Sequence, residues 1–160
     1  MHDVARSETE PAENNPSVER WISAEPARVW AVLSDGWLYP SWVVGASRMR
    51  EVDDGWPASG TRLHHSVGNW PLLINDRTEV LEMVPEKLLR LQAHGWPAGA
   101  AEVLIELESA GTGTTVRIRE DAVAGPAKLM PKPLRQLAML PRNREALRRL
   151  AFLAEGGAAS

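Results

Sequence analysis

The spacing of apolar positions changes twice along this chain. The changes mark off a short helical opening, a run of strands and a helical end. Ser17–Ala24 reads as a first strand, with Val18, Trp21 and Ile22 as its apolar residues. Pro26 suits the first turn of a helix, where a missing N–H costs little. Val29, Val32 and Leu33 then fall at i, i+3 and i+4, which predicts one face of a short helix. Asp35-Gly36 ends it, and Pro40 permits only a second short helix or a turn through Trp42.

The period then becomes that of strands. Ala46–Val52 runs into the turn Asp53-Asp54-Gly55. Thr61–Val67, Leu72–Val84 and Lys87–Ala93 follow, each ended by a Gly- or Pro-bearing turn. Ala101–Glu108 alternates cleanly, with Val103, Ile105 and Leu107 opposite Glu102, Glu106 and Glu108. Gly111-Thr112-Gly113 turns the chain, and Thr114–Ala122 returns. Tight successive turns predict neighbouring antiparallel strands.

The last segment is helical. Leu147, Leu150, Ala151 and Ala154 form a stripe at i, i+3, i+4 and i+7, and Gly156-Gly157 ends it. Leu134, Leu137 and Ala138 start that helix earlier, with a kink or break expected at Pro141. A Pro/Gly-rich connector lies between Ala124 and Pro133. Residues 1–16 are polar, hold Pro11 and Pro16, and read as a disordered tail before a single domain over 17–156. One antiparallel sheet with one apolar face needs a cover, and the final helix is the only element long enough to supply it.

Composition narrows the function classes. A chain of 160 residues with 44% hydrophobic and 24% charged residues fits one globular domain. The absence of cysteine excludes disulfides, thiolate metal sites and cysteine nucleophiles. No apolar run suffices to span a bilayer, which argues against integral membrane association. The start of the chain lacks a basic segment and an apolar core, so no signal peptide is expected and the location expected is cytoplasmic. Charge is uneven: Asp3, Glu8, Glu10 and Glu13 make the beginning acidic, while Lys128, Lys132, Arg135, Arg142, Arg144, Arg148 and Arg149 make the end basic. A solvated helix face accounts for those cations. They carry almost no interleaved aromatics, so no nucleic acid is expected as partner.

Several stretches carry a family resemblance. Pro26-Ala27-Arg28-Val29-Trp30 opens the first helix, and Trp42-Val43-Val44-Gly45 follows the second. Trp56-Pro57 and Gly60-Thr61 stand between strands. Asp76, Thr78, Glu79 and Val80 sit mid-strand, and Gly113-Thr114-Thr115-Val116 enters the last strand. In this order they resemble the SRPBCC or START-like superfamily, which includes polyketide cyclases and Bet v 1-like proteins. The resemblance covers roughly residues 17–155. It implies an α+β helix-grip fold: a curved antiparallel sheet of about seven strands around a long C-terminal helix, with two short helices after the first strand. It also implies a cavity between sheet and helix. Relatives bind lipids, sterols, hormones or quinones, others cyclise or dehydrate polyketides, and some are co-chaperones, so the resemblance implies no particular reaction.

Within that frame the candidate chemistry is limited. Adjacent strand residues face opposite ways, so His64 and His65 cannot serve one site. His65 shares parity with Leu63 and Val67 and is expected inward, as a general acid/base or as a hydrogen-bonded lining residue. Asp76 shares parity with Ile74, Thr78 and Val80, and Glu120 with Val116, Ile118 and Ala122. If those faces are inward, each carboxylate can polarise a ligand carbonyl, hold a proton, or pair internally with Arg48 or Arg62. The opposite parity would place Arg77, Glu79 and Leu81 inward instead. Trp37, Tyr39, Trp42 and Trp96 are candidates to line the cavity, while Trp21 and Trp30 read as core and Trp56 and Trp70 as turn packing. Leu129 and Met130 in the connector are expected to form an apolar lid.

No phosphate-binding glycine motif, nucleophile elbow or metal-ligand spacing occurs, so no cofactor and no metal are expected. The leading expectation is a binder of a small hydrophobic or aromatic molecule, lipid-, sterol- or polyketide-like. An enzyme of polyketide cyclase or dehydratase type is the alternative, with His65, Asp76 and Glu120 as its acid/base groups. A co-chaperone-like interaction module using the basic end is the second alternative. Oligomeric state stays open.

Overall fold

The computed structural model describes residues 16–67, 71, 74–95 and 99–156. Strand β1 (Ser17–Ile22) leads into helix α1 (Pro26–Ser34), a 3-10 turn (Gly36–Leu38) and the one-turn helix α2 (Tyr39–Trp42). Six strands follow: β2 (Ala46–Val52), β3 (Arg62–Val67), β4 (Ile74–Val84), β5 (Leu88–Gly95), β6 (Gly99–Ala110) and β7 (Gly113–Ala124). A second 3-10 turn (Pro126–Leu129) joins β7 to the long helix α3 (Lys132–Gly156).

All seven strands form one antiparallel sheet in the order β1-β7-β6-β5-β4-β3-β2. Consecutive strands from β2 to β7 are hairpin neighbours, as the turn signals predicted, and β1 closes the far edge against β7. Register shifts within β2, between Val80 and Glu82 in β4, and between Ala122 and Ala124 in β7 are bulges, which bend a strand and raise its twist. The result is a curved sheet that grips α3, the helix-grip fold.

The core sits between the concave sheet face and the helices. Ile22, Leu63, Leu89, Leu91, Ile105, Val116 and Ile118 meet Val29 and Leu33 from α1 and Leu147, Leu150, Ala151 and Ala154 from α3. Burying a leucine or isoleucine of this kind contributes about 1.5–3 kcal/mol before entropy is counted. The predicted α3 stripe is therefore the packed face. Helix α3 runs through Pro141 without a break in its assigned span. Proline leaves the Leu137 carbonyl without its i+4 donor. Leu137 and Pro141 are exposed, so water can reach that carbonyl.

Two expectations need correction. Trp21 is not core: it is 50% exposed, because Val18 and Ile22 take the inward face of β1 and leave Trp21 outward. Its ring rests against Gly113, where an added Cβ would lie 2.6 Å from the indole, and its Nε1 donates to the Ala110 carbonyl at 3.0 Å. The expected first strand also ends earlier, at Ile22. On the convex face, Leu104 is buried although it faces away from α3. Its cross-strand neighbours Arg90 and Arg119 cover it with their alkyl stems. Their guanidinium groups pair with Glu102 at 3.3 Å and Glu106 at 2.6 Å.

Candidate functional site

A cavity of about 210 Å³ opens between the concave sheet and α3. Leu91, Val103, Ile118 and Ala122 form its sheet wall, and Met139 and Ala146 face them from α3. Helix α2 supplies a third wall. The Tyr39-Pro40-Ser41-Trp42 turn packs against α3 and turns two large rings inward. Tyr39 and Trp42 are both buried, with ring centroids 5.5 Å apart in an edge-to-face arrangement.

A hydrogen-bonded string runs along one side. The Tyr39 hydroxyl lies 3.0 Å from Oγ1 of Thr78, and that oxygen lies 2.9 Å from Nε2 of His65. The Tyr39 and His65 rings also touch, with centroids 5.4 Å apart. Burial pushes the Tyr39 hydroxyl up to about 12 against the Thr78 hydrogen bond, and the charge of Glu120 adds to the rise. Burial likewise lowers His65; the charge of Asp76 opposes this, while Arg50 and His64 reinforce it. Burial therefore favours the neutral form of the His65 imidazole. Its Nδ1 is buried and has no hydrogen-bond partner among the described residues.

Two carboxylates on consecutive residues of β7 reach α3. Glu120 points into the cavity and pairs through Oε1 with Nη2 of Arg142. Asp121 points the other way and takes two hydrogen bonds from Arg135, Nε to Oδ1 at 2.7 Å and Nη2 to Oδ2 at 3.1 Å. Arg135 also donates to the carbonyls of Lys128 and Met130, at 3.4 and 3.2 Å. Glu145 binds Arg148 and Arg149 at 2.8 and 2.9 Å. Much of the basic C-terminal segment is thus engaged in internal ion pairs.

The residues singled out from sequence fall in different places. His65, Glu120, Tyr39 and Trp42 come together on the cavity. Asp76 shares the concave face with Thr78 and stands opposite His65 in the β3–β4 register, but it does not line the cavity. Its Oδ1 accepts the Arg77 amide at 2.8 Å, and its buried Oδ2 has no partner among the described residues. The internal ion pair of Glu120 is made with Arg142, not with Arg48 or Arg62. Trp37 is 60% exposed beside the α1 end, outside the cavity lining, because the 3-10 turn points it to solvent. Leu129 is 88% and Met130 42% exposed, and neither lines the cavity. Trp96 lies outside the described residues.

Thr78, Arg142 and Asn143 were not singled out from sequence. Thr78 shares parity with Asp76 and Val80, so the strand pattern carried that signal. Asn143 lies four residues before Leu147, where the apolar stripe of α3 extends backward onto the cavity. Gly99 stands at the cavity rim with φ 107, and a Cβ there would collide with the Ala124 carbonyl. Among the described residues no group of three or more His, Cys, Asp or Glu could hold a metal ion. No described helix is long and apolar enough to cross a membrane.

The curved seven-stranded sheet, the gripped helix and the cavity between them define a Bet v 1-like helix-grip protein. The chain belongs to the family described as polyketide cyclase / dehydrase and lipid transport, whose family model matches residues 16–155. Solved structures agree at the level of the fold. Protein NE0264 from Nitrosomonas europaea is 18% identical, with a TM-score of 0.70 over 91% of this chain and 96% of that one. The di-domain ARO/CYC StfQ from the steffimycin biosynthetic pathway is 11% identical, with a TM-score of 0.68 over 91% of this chain and 51% of that one. Ara h 8.0201 is 13% identical, with a TM-score of 0.62 over 88% of this chain and 97% of that one. No curated protein matches the sequence.

Proposed function

We propose that this protein binds a small apolar or aromatic molecule, lipid- or polyketide-like, in the cavity between the sheet and α3. The observation that carries the reading is the cavity of about 210 Å³, with apolar walls from three elements and two edge-to-face rings on α2. That volume is below the ~300–1,000 Å³ of drug-sized sites, which favours a compact ligand. Apolar burial drives binding at about 25 cal/mol per Å². Tyr39 and Trp42 contact the ligand, and His65 and Glu120 orient it. Differential scanning fluorimetry with naphthalene, naphthol, fatty acids, sterols and quinones tests this. A bound ligand raises the melting temperature with its concentration, by about 2.7 kcal/mol of added stability at a hundred times its Kd. No shift with any of these compounds would refute the proposal.

A second reading, an enzyme of cyclase or dehydratase type, is favoured by one observation. The buried His65 lines the cavity, and its Nδ1 has no hydrogen-bond partner among the described residues. A neutral imidazole there can take a proton from a carbon next to a ligand carbonyl, with Glu120 as a second candidate and Asp76 acting on His65 through its charge. His65→Gln should then abolish turnover of a polyketide-like thioester while leaving its binding nearly unchanged. Equal loss of both would assign His65 to binding alone.

A further inference from the structure

Asn143 is the most anomalous residue on the cavity wall. It sits in the interior of α3 on the face that packs against the sheet, and it is only 6% exposed. The positions before and after it on the same face are Met139, Ala146 and Leu147. An apolar residue would suit that place. Instead a carboxamide with two donors and an acceptor faces the cavity, and no hydrogen bond joins it to another described residue. The residue is buried, but its amide opens onto the cavity and is not sealed in packed protein, so its hydrogen bonds are left to water or to a ligand there.

The surroundings say what such a ligand is. Arg142, the next residue along, also borders the cavity, and its charge is answered by Glu120 across the gap. The ion pair and the carboxamide together make a polar end with no net charge. The rest of the wall is hydrocarbon and aromatic, apart from His94 and the His65–Thr78–Tyr39 string. A carboxylate arriving there would compete with Glu120 for Arg142. A neutral carbonyl or hydroxyl oxygen would satisfy Asn143 without breaking the pair.

We infer that Asn143 is the specificity-determining residue of the cavity, and that it hydrogen-bonds a carbonyl or hydroxyl oxygen of a neutral, oxygenated ring ligand beside the Glu120–Arg142 pair. This rests on the cavity being the binding site, as proposed above.

Matched probes separate the two. Naphthalene, naphthol and naphthoate share a ring system and differ in the polar group. Isothermal titration and thermal shift would be run on the native chain, on Asn143→Leu and on Asn143→Ala. In the native chain, naphthol is expected to bind about tenfold tighter than naphthalene, one hydrogen bond's worth, and tighter than naphthoate. Both variants should lose that preference while still binding naphthalene. The ligand-free Asn143→Leu protein should melt no lower than the native chain, because no side-chain hydrogen bond of Asn143 to a described residue is lost. Failure of all three probes to bind the native chain overturns the cavity reading and this inference with it. Binding of naphthalene and naphthol with the preference intact in both variants overturns this inference alone, as does naphthoate binding tighter than naphthol. A clear drop in the melting temperature of both ligand-free variants makes Asn143 a structural residue and also overturns it.

Discussion

Glu120 and Asp121 are neighbours in sequence, each reaches an arginine of α3, and the two pairs do different work. Asp121 is held on both oxygens by Arg135, and its Oδ1 also accepts the Ala122 amide at 2.9 Å. Both members are shielded, with side chains 7% and 13% exposed. Among the described residues Glu120 has one partner atom, on an Arg142 side chain that is 46% exposed. The first pair is closed and fastens the 126–130 connector to the sheet. The second is open on the cavity side. A saturated ion pair fixes a fold, whereas an unsaturated one at a cavity wall leaves hydrogen-bonding capacity for a ligand.

The largest expected effect comes from breaking the closed pair. Arg135→Ala leaves Asp121 buried without its cation and frees two connector carbonyls. The melting temperature should fall by several degrees, more than for any other substitution discussed here. The pair also sets an acid limit. Burial raises Asp121, but the hydrogen bonds from Arg135 and Ala122 and the charges of Arg135 and Lys132 outweigh it, so its folded pKa lies below the ordinary value. A depressed carboxylate contributes stability that is present above its unfolded pKa of about 3.9 and is lost as pH falls through the folded value. Chemical denaturation across this acid range should show a loss in the native chain that is smaller in Arg135→Ala. Equal acid loss in both would mean the pair is not what the connector depends on.

Opening the cavity pair should cost less stability and report differently. Glu120→Gln leaves Arg142 reachable by water, so its melting temperature should change less than that of Arg135→Ala. The readout is Tyr39, the only tyrosine in the chain. Its phenolate absorbance should stay absent until pH approaches about 12. A raised pKa means that this stability is fully present below the unfolded value of 10.0 and is lost as pH rises toward the folded one. Glu120 raises Tyr39 and Arg142 lowers it, so Glu120→Gln should bring the titration to lower pH and Arg142→Met to higher pH. Arg135→Ala should leave it alone. Identical titration curves in all three would show that the two pairs do not differ in their link to the cavity.

The parts legible in the sequence were those governed by local period. Alternation in β6 and the stripe Leu147, Leu150, Ala151, Ala154 predicted faces that the fold buries. Trp21 was misplaced because two adjacent apolar residues in a short strand leave the parity ambiguous, and size favoured the wrong one. Leu104 is buried by arginine stems from neighbouring strands, which no window along β6 contains. At the site, strand parity brought His65 and Glu120 to the cavity side. It could not find Arg142, because the pair joins a strand to a helix across a connector whose path is set by tertiary packing. Asn143 was within reach: extending the α3 stripe back by one turn lands on it.

The smallest expected effect concerns the connector's own side chains, and it separates backbone from side chain within the closed pair's reach. Arg135 holds this segment through the carbonyls of Lys128 and Met130. Leu129 and Met130 are 88% and 42% exposed, and neither lines the cavity. Replacing both with Ser removes little buried apolar area and no side-chain hydrogen bond to the described residues. Surface substitutions of this kind usually stay within about 0.5 kcal/mol, or about 2 °C for a domain of this size. The double variant should therefore melt within about 2 °C of the native chain and bind naphthol with nearly native affinity. A large loss of affinity at unchanged melting temperature would mean that these side chains fold over the bound ligand as a lid. The connector would then belong to the site as well as to the anchor, and the line between the two pairs would have to be redrawn.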